Sequence, residues 1–465
     1  MEWKEYFIGQ LMTQKEVELI WNKYLSQSSL KLETIFNHLY SMPTIKIKQK
    51  YILCSRCNCQ DQQQYYMISF NKSKIIYCCA CIQMGRISSS DFLYYLPNNK
   101  PLKIRNKKSF LTWQGELSPQ QHKASQEVLK QLNDSNHPHL IHAVTGAGKT
   151  EMLFPNIDEI LRKGGKIAVA SPRVDVCIEL FPRIKSAFNS VKVLLLHGKS
   201  ETKYEPCDIL ITTTHQLLRF FQAFDLLIVD EVDAFPYVDN DCLHFAVNRA
   251  VKEKGKLIFM TATPDKKIVK AVKKGLIYET VLPARFHGFP LVEPLFFWLG
   301  DWKSHLISEQ TNSKLFSSLK DFVALDGRKL IFIANIKLAI LLSEWLNKQF
   351  KSLSLSYVYS SDPLRHMKVE KMREGSYDLL ISTSILERGV TFENCHVYIL
   401  GAEDPLFSKS ALVQMSGRVG RKASYPSGIV IFGHYGITNE MKRAVKEIRE
   451  MNQLARKRGL LNAKI

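Results

Sequence analysis

The chain has 465 residues, 45% of them hydrophobic, and a formal net charge of +20. At ~150 residues per domain that length predicts about three domains, each able to bury its own core. No run of ~18 apolar residues occurs, so no bilayer-spanning helix is predicted, and the positive field favours a polyanionic partner, either nucleic acid or an anionic membrane face. The first residues, MEWKEYFIGQ, lack the basic region and apolar core of a secretory signal, so a cytoplasmic site is expected.

Residues 1–50 read as small, partly amphipathic helices, with Leu11, Lys15, Glu18 and Tyr24 on their faces. Six of the ten cysteines then fall between Cys54 and Cys81. In a cytoplasmic chain such clustering favours metal over disulfides. Two C-x₂-C knuckles, Cys54/Cys57 and Cys78/Cys81, flank runs that read as hairpin strands, Tyr65–Phe70 and Ile75–Tyr77. Four thiolates at this spacing suit one tetrahedral Zn²⁺ with no open position for water, so the site is read as structural. Cys59 and Cys79 are surplus and compete as ligands on sequence grounds. Lys100, Lys103, Arg105, Lys107 and Lys108 form a basic connector, a solvated linker or a phosphate contact.

Short apolar runs alternate with helical stretches from about residue 110. Ile167–Ala170, Val191–Leu196, Ile209–Ile211, Leu226–Val229 and Leu257–Met260 read as buried strands, and 240–254 as a helix. Pro and Gly near 290 suggest a hinge. A second set follows: Leu330–Ile333, Leu353–Val358, Leu379–Ile381, Val397–Leu400 and Ile429–Phe432. The fold class is therefore α/β, two tandem parallel-sheet lobes behind an N-terminal helical and zinc-ribbon module. The divisions are 1–50, 51–104, 105–289 and 290–465.

The first lobe carries Ala143-Val-Thr-Gly-Ala-Gly-Lys-Thr150 between a strand and a helix, the context of a phosphate-binding loop. Gly146 and Gly148 permit close backbone approach, and Thr145 to Thr150 line the phosphates. Lys149 reaches the β- and γ-phosphates, and the Thr150 hydroxyl suits Mg²⁺. Ala143 replaces the usual first glycine. Asp230, Glu231 and Asp233 end an apolar strand, where ligands of open α/β sheets gather. Asp230 suits Mg²⁺ and Glu231 an attacking water, which together give nucleoside triphosphate hydrolysis. Thr261 and Thr263 offer hydroxyls to the acidic motif or cap the next helix. Gln121, with Gln120 as fallback, offers an amide to an adenine edge. In the second lobe Arg418 and Arg421 are placed three apart on one helix face, aimed at transferring phosphate. The basic C-terminal segment from Lys442 to Arg458 is read as a solvated helix, or as a contact to DNA or to an anionic membrane face.

AVTGAGKT, SPR, TTTHQ, DEVD, TATP, STSILERGV and QMSGRVGR occur in this order and resemble a superfamily-two helicase or translocase motor with two RecA-like lobes, over roughly residues 110–435. The resemblance implies ATP bound between the lobes, with Gly389 near it and Arg418 and Arg421 as arginine fingers. It further implies that Arg173, Thr213, Thr214, His215 and Thr383, with Asn335 less firmly, touch a sugar–phosphate backbone. The cysteine module ahead of a compact motor closely resembles the ComFA family of late-competence DNA-uptake ATPases. That family is similar to the replication-restart helicase PriA, in which the zinc module lies in the C-terminal half. What ComFA membership implies is an ATP-driven translocase on single-stranded DNA, a competence uptake channel and a small competence protein as partners, and a peripheral place at the inner membrane face. The alternatives are a PriA-like restart or repair helicase, an RNA helicase, and a non-enzymatic DNA clamp.

Overall fold

The computed structural model describes residues 3–48, 51–70, 73–98, 102–200, 204–390 and 392–462. Lys100 of the basic connector lies outside them. Internal packing divides the chain into two compact units. One comprises Met1–Leu117, Lys123–Ile141 and Thr150–Thr280; the other comprises Ser118–His122, His142–Lys149 and Val281–Ile465.

The first unit begins with a small α+β module. The helix Gln14–Tyr24 starts at a capping box, in which Thr13 Oγ1 accepts from Glu16 N and Glu16 Oε2 accepts from Thr13 N at 2.9 Å. A second helix covers Leu32–His38. The expectation of helices alone across 1–50 is corrected here. Leu11–Thr13 and Tyr40–Pro43 are strands, and both pair antiparallel with Phe92–Tyr95, which lies between them. Strands of three or four residues whose partner lies roughly fifty to eighty residues away leave no readable period. Ile45–Lys48 pairs with Tyr51–Cys54, and Tyr65–Phe70 pairs with Ser73–Cys78.

The seven-stranded sheet runs in the order Val193–Leu196, Ile209–Thr213, Ile167–Ser171, Phe224–Asp230, Val251–Thr261, His139–Ala143, Tyr278–Leu282. Its central strands are buried on both faces, which is why they read as unbroken apolar runs. The helix expected over 240–254 is shorter, Asp241–Ala250, capped by Asn240 Oδ1 accepting from Leu243 N at 3.1 Å. Val251 already pairs with Phe224, so the following strand begins inside the expected helix. The basic connector is held rather than loose. Arg105 pairs with Asp208 at 2.6 Å and Lys107 Nζ donates to Ser190 at 2.7 Å.

The second unit holds a six-stranded parallel sheet in the order Leu295–Trp298, Val430–His434, Cys395–Leu400, Arg328–Ile333, Leu379–Ser382, Leu355–Val358. Its core includes Trp345, Leu342 and Leu346 from the helix Ile336–Gln349, packed on Ile331 and Ile333. The edge strand Leu295–Trp298 went unread in the sequence; its exposed aromatic run has no alternation to mark it. In the final helix, Asn439–Lys457, Arg443 pairs with Glu440, Lys446 with Glu450, and Arg449 with Glu293.

Candidate functional site

Parallel register carries four motifs of the first unit to one edge of its sheet. Thr213 lies opposite Ser171, and Asp230 lies opposite Met260, immediately before Thr261. This is the carboxyl edge, where open α/β sheets bind ligands. Asp230 is buried, and its Oδ1 accepts from Glu231 N at 2.9 Å. Glu231 has φ 55, a left-handed conformation that costs a non-glycine residue ~1 kcal/mol or more and that clusters at functional sites. Asp233 collects both hydroxyls of the next strand end. Its Oδ1 accepts from Thr261 Oγ1 at 2.6 Å and its Oδ2 from Thr263 Oγ1. Thr263 N in turn donates to Thr261 Oγ1 at 2.9 Å. The acidic motif is thereby tied to the Thr261–Thr263 segment, as one of the two sequence readings expected. Thr150 and Asp230 supply hard oxygen donors of the type Mg²⁺ prefers.

The backbone-contact candidates are placed unequally. Arg173 occupies the N-cap position of the helix Val174–Ala187 without a side-chain capping bond and is half-buried. Thr213 and Thr214 are buried side chains, and burial pushes the His215 imidazole below its ordinary value. Thr383 follows the strand Leu379–Ser382 and is half-buried. Asn335 Oδ1 accepts from Lys337 N at 2.8 Å, which makes it the cap of its helix.

In the second unit the phosphate loop packs with residues far along the chain. Gly146 and Gly148 have φ 80 and 72, values that only glycine adopts at little cost. Gln121 is buried; its Nε2 donates to Ala147 O at 3.0 Å and Gly148 O at 3.2 Å, and its Oε1 accepts from Ser118 N. Its amide thus braces the loop. Gln120 Nε2 donates to Ala284 O at 2.7 Å. The loop does not run straight into an α-helix. A 3₁₀ turn, Glu151–Leu153, intervenes, and the α-helix begins at Phe154 with Pro155 in its first turn.

The arginine pair departs from expectation. The helix Lys409–Ser416 stops before it, and Gly420 has φ 68, so Arg418 lies in the turn that follows, Arg421 lies just beyond that turn, and the two share no helix face. Arg418 is 2% exposed, donates Nε to Glu387 O at 3.1 Å and bonds Val390 O. Arg421 donates to Gly417 O at 3.2 Å and Val390 O at 3.4 Å. Both therefore grip the loop that carries Gly389, whose φ is 72. Gly417 itself abuts Thr145: a Cβ added there would sit 2.1 Å from Thr145 Oγ1, so no larger residue fits against the phosphate loop.

The cysteine module gathers Cys54, Cys57, Cys78 and Cys81, all buried, with their sulfurs within 4.8 Å of one another. Neighbouring Sγ separations are 3.9, 3.6 and 3.8 Å. A tetrahedron of ~2.3 Å Zn–S bonds has edges of ~3.8 Å, so the donor set fits Zn²⁺. Among the described residues the surplus cysteines stand outside this group, with Cys79 exposed. Arg56 donates Nε and Nη2 to Cys81 Sγ at 3.2 Å. The neighbouring thiols, Cys54 first, hold the Cys81 thiol below its usual range, and Arg56 adds to that effect.

Two residues beside this cluster went unread in the sequence. Cys242 Sγ donates to Cys57 O at 3.0 Å. Arg249 donates to Ser55 O, Arg56 O, Leu218 O and Phe220 O at 2.7 to 3.2 Å. Neither belongs to a motif, and only the folded helix Asp241–Ala250 brings them to the module.

Comparison with known proteins identifies three family models along the chain. The family model for the competence protein ComFA N-terminal domain matches residues 2–95, that for the DEAD/DEAH box helicase matches 118–272, and that for the helicase conserved C-terminal domain matches 314–423. The chain is 42% identical to competence protein ComFA of Streptococcus pneumoniae over 414 residues, 89% of this chain and 93% of that protein. It is 39% identical to competence protein ComFA of Bacillus subtilis over 420 residues, 89% of this chain and 88% of that protein. The solved structure of S. cerevisiae Dbp5 bound to RNA and ADP BeF3 superposes with a TM-score of 0.50 at 16% identity, covering 72% of this chain and 91% of that one, a likeness of fold. The chain is a competence-related, helicase-like ATPase with tandem RecA-like lobes, and it belongs to the ComFA family.

Proposed function

We propose that the chain is an ATP-driven translocase on single-stranded DNA that pulls transforming DNA into the cytoplasm. The observation that carries this reading is ComFA membership across 89% of the chain. Lys149 takes β- and γ-phosphate charge, Glu231 orients and deprotonates the attacking water, and Arg418 and Arg421 serve the transferring phosphoryl group. When bound by Thr150 and Asp230, Mg²⁺ supplies charge neutralisation at the phosphate oxygens. ATP and Mg²⁺ thus serve the motor, and Zn²⁺ on the four cysteines serves structure. Residues 105–289 and 290–465 are proposed as its lobes, with 1–50 and 51–104 as the module ahead of them.

Arg173, Thr213, Thr214, His215 and Thr383 are proposed to follow the DNA backbone, so movement is independent of sequence. A net charge of +20 supports a polyanionic track. No described helix is long and apolar enough to cross a membrane. A peripheral place beside an uptake channel, with a small competence protein as partner, completes the proposal. DNA uptake in cells carrying Lys149→Ala tests it: uptake should fall to background, and normal uptake would remove the transport role even with the ATPase assignment intact.

A further inference from the structure

Arg285 lies in the Pro283-Ala-Arg-Phe-His287 segment, outside every motif read in the sequence. It is 1% exposed, among the largest fully buried side chains of the molecule. Its neighbours are the phosphate loop on one side and the arginine turn on the other. Phe286 N donates to Gly146 O at 3.1 Å, and Val144 N donates to Leu282 O at 3.1 Å, so the segment runs along the loop. The Arg285 side chain crosses the bare face of Gly146. A Cβ added there would meet its Cγ, Cδ and Nε at 3.6, 3.7 and 3.8 Å. Nη1 donates to Gly420 O, which also accepts from His287 Nε2 at 3.1 Å.

The remaining donors are unusual. Nε and Nη2 of Arg285 are buried and have no hydrogen-bond partner among the described residues. A buried guanidinium without partners for its donors costs several kcal/mol in desolvation and is kept only where something rewards it. The charge that acts on it is another cation, Arg421; burial first, then Arg421, lowers the Arg285 pKa to about 9. A half-satisfied guanidinium lying on a phosphate-binding loop, with a second guanidinium near, has the chemistry of an anion receptor.

Building on the reading of residues 143–150 as an ATP site, we propose that Arg285 is a phosphate-binding residue whose Nε and Nη2 take oxygens of the nucleoside triphosphate held by that loop. The residue would then join nucleotide binding to the Gly417–Arg421 turn, because the same guanidinium holds Gly420 O. A Cβ at position 146 would lie in van der Waals contact with Arg285, while the positive φ of 80 there favours glycine.

The test is equilibrium binding of a fluorescent ATP analogue to the full chain in Mg²⁺, with inorganic tripolyphosphate as competitor. Wild type, Arg285→Gln, Arg285→Lys and Lys149→Ala are compared, and thermal unfolding of each is recorded. Loss of one charge-assisted contact should weaken analogue and tripolyphosphate about ten- to a hundredfold in Arg285→Gln. Arg285→Lys, which keeps charge but loses the fork, should fall between. Equal affinity in wild type and Arg285→Gln overturns the inference while leaving the ATP site standing. A weaker analogue with unchanged tripolyphosphate also overturns it, since the effect would then lie outside the phosphates. If Arg285→Gln does not fold, Arg285→Lys decides: a several-fold loss supports the assignment and unchanged affinity removes it. No nucleotide binding by wild type would instead remove the ATP reading itself.

Discussion

Arg249→Ala cuts the attachment between the cysteine module and the helix Asp241–Ala250. The guanidinium donates four hydrogen bonds to backbone carbonyls, two of them, Ser55 and Arg56, inside the first knuckle. Burial lowers its pKa to about 10, still high enough to keep it charged at neutral pH. The knuckle cysteines share one apolar cluster with Leu243, Ala246 and Val247 of that helix, so the bonds sit at the rim of a packed interface. Truncation leaves four carbonyls short of a charged donor, and water reaches only some of them. A loss of about 3–5 kcal/mol is expected. For a unit of this size that corresponds to a fall of roughly 5–15 °C in its unfolding midpoint. Hydrogen exchange should rise across the knuckles more than in the strands Ile167–Ser171 and Phe224–Asp230. An unfolding midpoint within ~2 °C of wild type, with unchanged exchange at residues 54–81, would refute the reasoning.

Three further outcomes are expected. Glu231→Gln should retain ATP binding and lose hydrolysis by ~100-fold or more; near-normal turnover would assign the water to another base. Metal analysis should find about one zinc per chain, with Cys54→Ser releasing it; metal-free protein purified without chelator would remove the site. His139 is 3% exposed, and burial lowers its pKa from 6.5 to about 4. Its folded form binds fewer protons than its unfolded form between those values. The stability it contributes is therefore present above about pH 6.5 and is lost as pH falls towards 4, by about 2 kcal/mol between pH 7 and pH 5. Urea unfolding at the two pH values should show that loss in wild type and not in His139→Gln; equal losses would place the titration elsewhere.

The sheets were legible because strands such as Ile209–Thr213 and Leu379–Ser382 are buried on both faces and announce themselves as apolar runs. The phosphate loop and DEVD were legible because their chemistry demands fixed residue types at fixed spacing. The four thiolates were legible for the same reason, although only the fold separates them from Cys59 and Cys79. Orientation was the harder part. Arg418 and Arg421 are named by their motif, yet glycine turns replace the expected helix and send both side chains into backbone carbonyls. Residues supplied by distant chain segments left no sequence trace. Arg285 and Arg249 are single arginines in unremarkable contexts until Gly146 and the cysteine knuckle fold against them. The short N-terminal strands failed for a related reason, since their partner, Phe92–Tyr95, lies far along the chain.

Movement of this chain along single-stranded DNA on ATP turnover is measured by displacement of streptavidin from a biotin-capped oligonucleotide. Wild type should displace streptavidin from single-stranded DNA in an ATP-dependent way and Lys149→Ala should not, with DNA-stimulated ATPase lost in the same variant. ATPase stimulated by DNA with no displacement at either capped end would contradict translocation and leave only an ATP-gated clamp.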